Sequence, residues 1–199
     1  MAEGGAWNAL VAATGHNLRR LADMSGRETQ VQFWPYAGLV YGLATLVSMM
    51  LTVIPLTDVF VKAVQQIGEA ANRGGNAQPE FVKSPEMLAP DFSSLFWPMV
   101  LVDLVTVLLL AAAVARRLHD RDRTALWSLL PLPSMILGLV LMPAKMPIFA
   151  AQAAPDPLIQ LVMLNNLVSY ALLITLIVLT IGVGTSGPNR FGAEIIVAD

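Results

Sequence analysis

Apolar residues gather into four runs, each long enough to cross a bilayer core, which is about 30 Å thick and needs roughly 20 apolar residues as helix. Residues 33–56 begin at Phe33-Trp34 and lie in a stretch with no charge between Glu28 and Asp58. Residues 92–115 carry one acid, Asp103. Residues 124–142 contain Pro131 and Pro133, and residues 158–183 hold the polar pair Asn165-Asn166 but no charge. The pattern predicts an all-α fold, a four-helix transmembrane bundle. A soluble apolar bundle is the alternative, but four such runs would leave it almost no polar surface.

The flanks carry a second pattern. Trp7, Leu10, Val11, Thr14, Leu18, Leu21 and Ala22 recur at helical spacing, with His16, Asn17, Arg19 and Arg20 off that stripe. This predicts an amphipathic segment over 1–32, lying flat in the membrane interface or packed on the ends of the bundle. Glu3 and Asn8 interrupt any apolar signal-peptide core. Between the first two runs, residues 57–91 form a hydrophilic outer segment whose first half is again amphipathic, through Val59, Phe60, Ala63, Val64 and Ile67. The first helix is therefore expected to extend past Pro55, until Gly74-Gly75 and the later prolines break it. Residues 184–199 form a tail.

Composition sharpens this picture. Only 13% of the 199 residues are charged, against about 25% in an average soluble domain. With a net charge of −2 and no cysteine, the chain is not expected to be a disulfide scaffold, a cysteine zinc module or a nucleic-acid binder. Twelve cations sort unevenly by the predicted spans. Arg19, Arg20, Arg27, Arg116, Arg117, Arg121, Arg123 and Arg190 fall on one side, and Lys62, Arg73, Lys83 and Lys145 on the other. Because positive charge concentrates on the cytoplasmic side, both termini are expected there. That requires an even number of spans.

Three ordered motifs surround the runs: Met24-Ser25-Gly26-Arg27 before Phe33-Trp34, then Ala115-Arg116-Arg117-Leu118-His119-Asp120, then Gly184-Thr185-Ser186-Gly187-Pro188-Asn189-Arg190-Phe191-Gly192. The set resembles the YhaH-like family of small bacterial inner-membrane proteins, the domain-of-unknown-function family numbered 805, over about residues 18–192. The resemblance implies a bacterial inner (plasma) membrane location and a multi-pass topology, and no established activity. Where that family has Gly-Arg-x-x-Arg-x-Glu-Phe-Trp, this chain carries Gln30 and Gln32.

All three motifs end at one face. If residues 112–123 extend the second helix, Arg116, His119, Asp120 and Arg123 share a side and Arg116–Asp120 is an i, i+4 pair. With Arg27, Arg117, Asn189 and Arg190, the face gathers guanidinium groups that bind phosphate or carboxylate in a two-pronged fork. One reading is a site for an anionic phospholipid headgroup; the other is topological, with arginines fixing orientation and tying helix ends together. His119 beside Asp120 invites a general-base reading, yet neighbours on a helix point about 100° apart. No metal site or cofactor is expected, since His16 is the only other histidine.

Asp103 lies about 20 Å along the helix from Arg116. An acid at that depth is protonated, paired or facing a polar interior. Asn165, Asn166, Ser169 and Tyr170 of the fourth run, and Thr45 and Ser48 of the first, lie at comparable depth. They open two readings, a helix–helix clamp and a proton or ion site. Three functions follow: a lipid- or partner-binding membrane protein, a small transporter or proton-coupled subunit using Asp103, and a lipid-acting enzyme at His119-Asp120. A protein partner or a homo-oligomer is compatible with each.

Overall fold

The computed structural model of the chain describes residues 3–73, 79, 93–150 and 157–194. The predicted outer loop beyond Arg73, apart from Pro79, and the tail past Glu194 lie outside the described residues. The fold is all-α: α1 (Glu3–Arg19), α2 (Gln30–Arg73), α3 (Phe96–Asp120), α4 (Leu132–Ala150) and α5 (Pro157–Ile181), with single 3₁₀ turns at Ser93–Leu95 and Ala125–Leu129. Three helices, α2, α3 and α5, are long and apolar enough to cross a membrane, and Ala125–Leu141 forms a shorter apolar stretch. Only 11% of the most apolar stretch of α2 is buried within the protein, so the apolar surface faces outward. Such a chain is a membrane protein.

Local chemistry sets the helix boundaries. Thr29 precedes α2, and Gln32 reaches back so that its Oε1 accepts from the Thr29 backbone N–H at 3.2 Å, one half of a capping box. The helix then runs for 44 residues, about 66 Å, straight through Pro55. Proline removes one backbone donor. Around it the hydroxyls of Thr52 and Thr57 donate to the carbonyls of Ser48 at 2.8 Å and Val53 at 2.9 Å. Beyond Thr57, α2 becomes a polar rod with i, i+4 ion pairs Asp58–Lys62 and Glu69–Arg73.

The third apolar run departs from its expected bounds. Residues 124–130 form a 3₁₀ turn and connector, and the helix starts only at Leu132. The two prolines do not interrupt a span. Pro133 sits in the first turn, where a missing N–H costs nothing, and the Ser134 hydroxyl donates to the Pro131 carbonyl at 2.9 Å.

The buried core is small and lies at one end of the bundle. Ala13 of α1 meets Phe33, Tyr36 and Val40 of α2 and Ala113 of α3. Positions 33, 36 and 40 share a helical face, and Tyr36 donates its hydroxyl to the Leu109 carbonyl at 2.8 Å. The apolar stripe of α1 is not what it buries: Trp7 is 65% exposed and Val11 and Leu18 are exposed, while Ala13 and Asn17 face the bundle. Helix α5 packs along α4, where Asn165 Nδ2 donates to the Ser134 carbonyl at 3.2 Å. We expect Tyr36→Phe to lower unfolding stability by about 1 kcal/mol, measured by thermal unfolding in detergent, whereas Tyr41→Phe, at an exposed ring, leaves it unchanged.

Candidate functional site

Arg116 and Arg117, adjacent near the end of α3, point about 100° apart and so reach two different neighbours. Both are 0% exposed. Arg116 turns toward the segment after α1. Its Nε donates to Glu28 Oε2 at 2.8 Å, its Nη2 to Asn17 Oδ1 at 2.6 Å, and its Nη1 to the carbonyls of Arg20, at 3.0 Å, and Asp23. Arg117 turns toward the end of α5. Its Nε donates to the Thr180 carbonyl at 2.9 Å, its Nη2 to the Gly182 carbonyl, and its Nη1 to Asp120 Oδ2 at 2.5 Å and the Glu28 carbonyl at 3.2 Å.

Asp120 is the hub. It also accepts from Arg27 Nε at 2.9 Å, while the two other nitrogens of Arg27 donate to the carbonyls of Gly187 at 2.7 Å and Thr185 at 2.6 Å. The expected Arg116–Asp120 pair is therefore replaced by Arg117–Asp120 and Arg27–Asp120, with Arg116 paired to Glu28. The helix ends at Asp120, so the arginine facing α1 takes the acid that α1 and α2 bracket.

A helix leaves its last four carbonyls without intrahelical partners. In α5 these belong to Val178, Leu179, Thr180 and Ile181, and side chains from other helices serve all four. Arg121 Nη1 donates to Val178 at 3.3 Å and Leu179 at 3.2 Å, Arg117 serves Thr180, and Gln30 Nε2 serves Ile181. The guanidinium charge also suits the negative end of the helix dipole. The anion-like partner of these arginines is thus a helix C-terminus, held in place by the chain itself. Gln30 supplies the same donor chemistry without a charge.

Glycines make the close approach possible. A Cβ at Gly184 would overlap the Asp120 carboxylate and one at Gly182 the Arg121 guanidinium. Gly187 has φ 74°, a left-handed value that favours glycine. The loop they allow is fastened by the Thr185 N–H to the Asp120 carbonyl at 2.8 Å and by Asn189 Nδ2 to the His119 carbonyl at 2.9 Å. Arg190 pairs with Asp122 at 3.1 Å and lies over the Phe191 ring.

The other predicted residues divide plainly. His119 Nδ1 lies 3.1 Å from the Gly26 carbonyl, and the ring stacks on Phe191 at 3.9 Å. A carbonyl only accepts, so Nδ1 carries the proton. Asp120 faces its arginines instead, and the two do not form an acid–base dyad. Arg123 stands apart, exposed, over the Trp127 ring at 5.6 Å. Arg27, Arg116 and Arg117, expected to receive an external anion, have their donors committed inside the chain. Asp103 faces a cavity of about 490 Å³ between α2 and α3 that includes Thr45 and Ser48. It does not meet Asn165, Asn166 or Tyr170, because α5 packs on α4: Asn165 bonds there, and Asn166 and Tyr170 are exposed. Among the described residues no group of three or more His, Asp or Glu could hold a metal ion.

Sequence reasoning missed Glu28, Asn17, Arg121 and Gln30. The available signal was Glu28 itself, the last charge before the long uncharged run and next to Arg27. Burial pushes the Glu28 carboxyl above its usual range, against the pull of Arg116, and its Oε1 has no hydrogen-bond partner. Burial likewise lowers His16, helped by the charges of Arg20 and Arg116. The Ser25 hydroxyl and then Arg20 hold the half-buried Asp23 well below the ordinary carboxylate range.

A family model described as "Protein of unknown function (DUF805)" matches residues 21–193, a span that covers every motif in the cluster. No curated protein and no solved structure matches.

Two outcomes are expected. Glu28→Ala leaves the Arg116 charge buried and unpaired and costs about 3–5 kcal/mol of stability, while the paired change Glu28→Leu with Arg116→Met recovers much of it; unfolding in detergent measures both. Folding lowers His16, so the folded protein holds it neutral to a lower pH than the unfolded chain, which protonates it around its ordinary value of 6.5. Stability should therefore fall as pH drops below 6.5, and His16→Gln should flatten that part of the melting-temperature profile.

Proposed function

The chain belongs to the DUF805 family, whose description carries no activity, and we propose that it is a four-span membrane protein that binds anionic phospholipid headgroups at its arginine-rich end. Where the helices meet supports the reading of four spans. The start of α2 and the ends of α3 and α5 share one cluster, through Gln30–Ile181, Arg116–Glu28 and Arg117–Thr180. If α2, α3 and α5 cross, the chain leaves α3 at the cluster end and enters α5 at the far end. A further crossing between α3 and α5 is then required. Helix α4, 19 residues and about 28 Å long with Lys145 toward its far end, is the helix placed to make that crossing.

The cluster end carries the eight arginines, so it faces the cytoplasm of a bacterial inner membrane, with both termini there. The lipid reading rests on one observation: Arg19 and Arg123 are exposed cations that have no carboxylate partner among the described residues, and exposed apolar side chains stand beside them. Leu18 flanks Arg19, and Leu126 and Trp127 follow Arg123. Trp7 and Val11 extend the same exposed stripe along α1, as on a helix lying in the headgroup layer. The buried arginines hold this rim in place and do not touch the lipid.

The chain has no cysteine, which makes single introduced cysteines unambiguous labels. Ala6→Cys and Ser186→Cys should react with an impermeant maleimide from one compartment and Gln65→Cys from the other; labelling of the first two from opposite sides would overturn the topology. Near a membrane surface each cation contributes about 1 kcal/mol. Arg19→Gln with Arg123→Gln should therefore weaken phosphatidylglycerol binding over phosphatidylcholine roughly thirtyfold, read by native mass spectrometry. An unchanged preference would remove the headgroup reading.

A further inference from the structure

The far half of α2 stands apart from the arginine cluster and from any lipid bound there. The helix has 44 residues and is about 66 Å long, twice the depth of the hydrocarbon core it crosses. From Thr57 onward it carries the ion pairs Asp58–Lys62 and Glu69–Arg73, so this part projects into water. Ile67 stands about 15 Å beyond Thr57 along the axis, out of reach of the acyl chains. Yet Phe60 is 68% exposed, and Val64 and Ile67 are 52% exposed. An apolar stripe held in water marks a surface that another surface covers.

The spacing of the stripe says what covers it. Met50, Val53, Thr57, Phe60, Val64 and Ile67 alternate at steps of three and four residues, and all are exposed. Leu43 and Leu46 carry the same alternation back into the apolar span, exposed as well, and Ala71 carries it forward. Sustained over about four heptads, this is the seam of a coiled coil, and its period matches a second helix of the same period. Two copies inserted in the same sense bring their seams together parallel and in register. Charge suits that pairing. Asp58, Lys62, Glu69 and Arg73 project about 140° or more from the centre of the seam, by 100° per residue, and are balanced within their own helix. Val61, Ala63 and Gly68, which flank the seam, are uncharged, so no like charges meet between identical helices. The rest of the chain lies on other sides of α2. Thr45, Ser48 and Thr52 face α3 across the cavity. Pro55 and Ala70 are buried, and they point about 100° or more from the centre of the seam. What covers those two residues does not cover the seam.

We propose that α2 pairs with the α2 of a second copy of this chain in a parallel two-stranded coil, along the seam from Met50 to Ile67. Phe60, Val64 and Ile67 each meet their own counterpart across the twofold axis, and the water-exposed stripe is covered in both copies at once. The ion pairs stay on the outside of the stalk that results.

The test uses the full chain in phosphatidylcholine nanodiscs. Native mass spectrometry of the unaltered protein should give a dimer. Because the chain has no cysteine, single introduced cysteines report which side of α2 meets its copy. Under mild oxidation Val64→Cys and Ile67→Cys should form disulfide-linked dimers, and Lys62→Cys and Glu69→Cys, on the back of the helix, about tenfold less, since a disulfide needs close Cα atoms. Val64→Glu with Ile67→Glu should weaken association about a hundredfold or more and leave monomers. These side chains are exposed in the single chain, so the fold of one copy does not rest on them. Three results would each overturn the proposal. A monomer whose Val64→Cys is shielded from maleimide would give the stripe to residues 74–92 of the same chain. A monomer whose Val64→Cys reacts freely would leave it to a different protein. Equal cross-linking at positions 62 and 64 would mean collision without an interface.

Discussion

The last four carbonyls of α5 are the constraint from which the rest of the cluster is built. At the end of the helix they have no intrahelical partner, and an unsatisfied polar group is costly where it is buried, as at Thr180. Arg117 near the end of α3, Arg121 just past it and Gln30 at the start of α2 answer them. Once guanidinium groups are buried, their charge must be balanced, and Asp120 and Glu28 do this. The carboxylate of Asp120 then needs a backbone that can come close, which Gly184 supplies. Each requirement creates the next, and together they tie four segments of the chain at one point.

Ion pairs of this kind are weak evidence for net stability, because an apolar replacement of the same volume often does as well. Their effect here is on register. The apolar flanks of α2, α3 and α5 resemble one another and would tolerate sliding in lipid. The cluster does not: Arg116 and Arg117 reach their partners only with α1, α2 and α5 in one relative position. The small core of Ala13, Phe33, Tyr36, Val40 and Ala113 sits beside it, so packing and polar specificity reinforce each other at the same end. Toward the far end, the helices present large side chains outward.

Much of the fold was legible because membrane spans leave a coarse signal. The bounds of α3 and α5 fall within a few residues of those the apolar runs predict, as does the start of α2. Pro131 and Pro133 misled, since proline inside an apolar run reads as interruption unless its place in the first turn is known. The arginine motifs identified the right residues and the wrong acceptor. Sequence spacing gives the i, i+4 relation of Arg116 and Asp120, but which neighbour lies on each side of α3 is a tertiary fact. Carbonyls are present at every residue and so leave no mark in the sequence. Asp103 was legible as an oddity; that α5 turns its asparagines to α4 and not to α3 was not.

Helix α2 has a mechanical consequence. One unbroken rod joins the polar far side to the residue that holds the final carbonyl of α5. A tilt of about 5° around its midpoint swings each tip by about 3 Å, as far as a hydrogen bond is long. Leverage applied near Arg73 is thus felt at Gln30, at the other end of the helix, where the knot of arginines resists it.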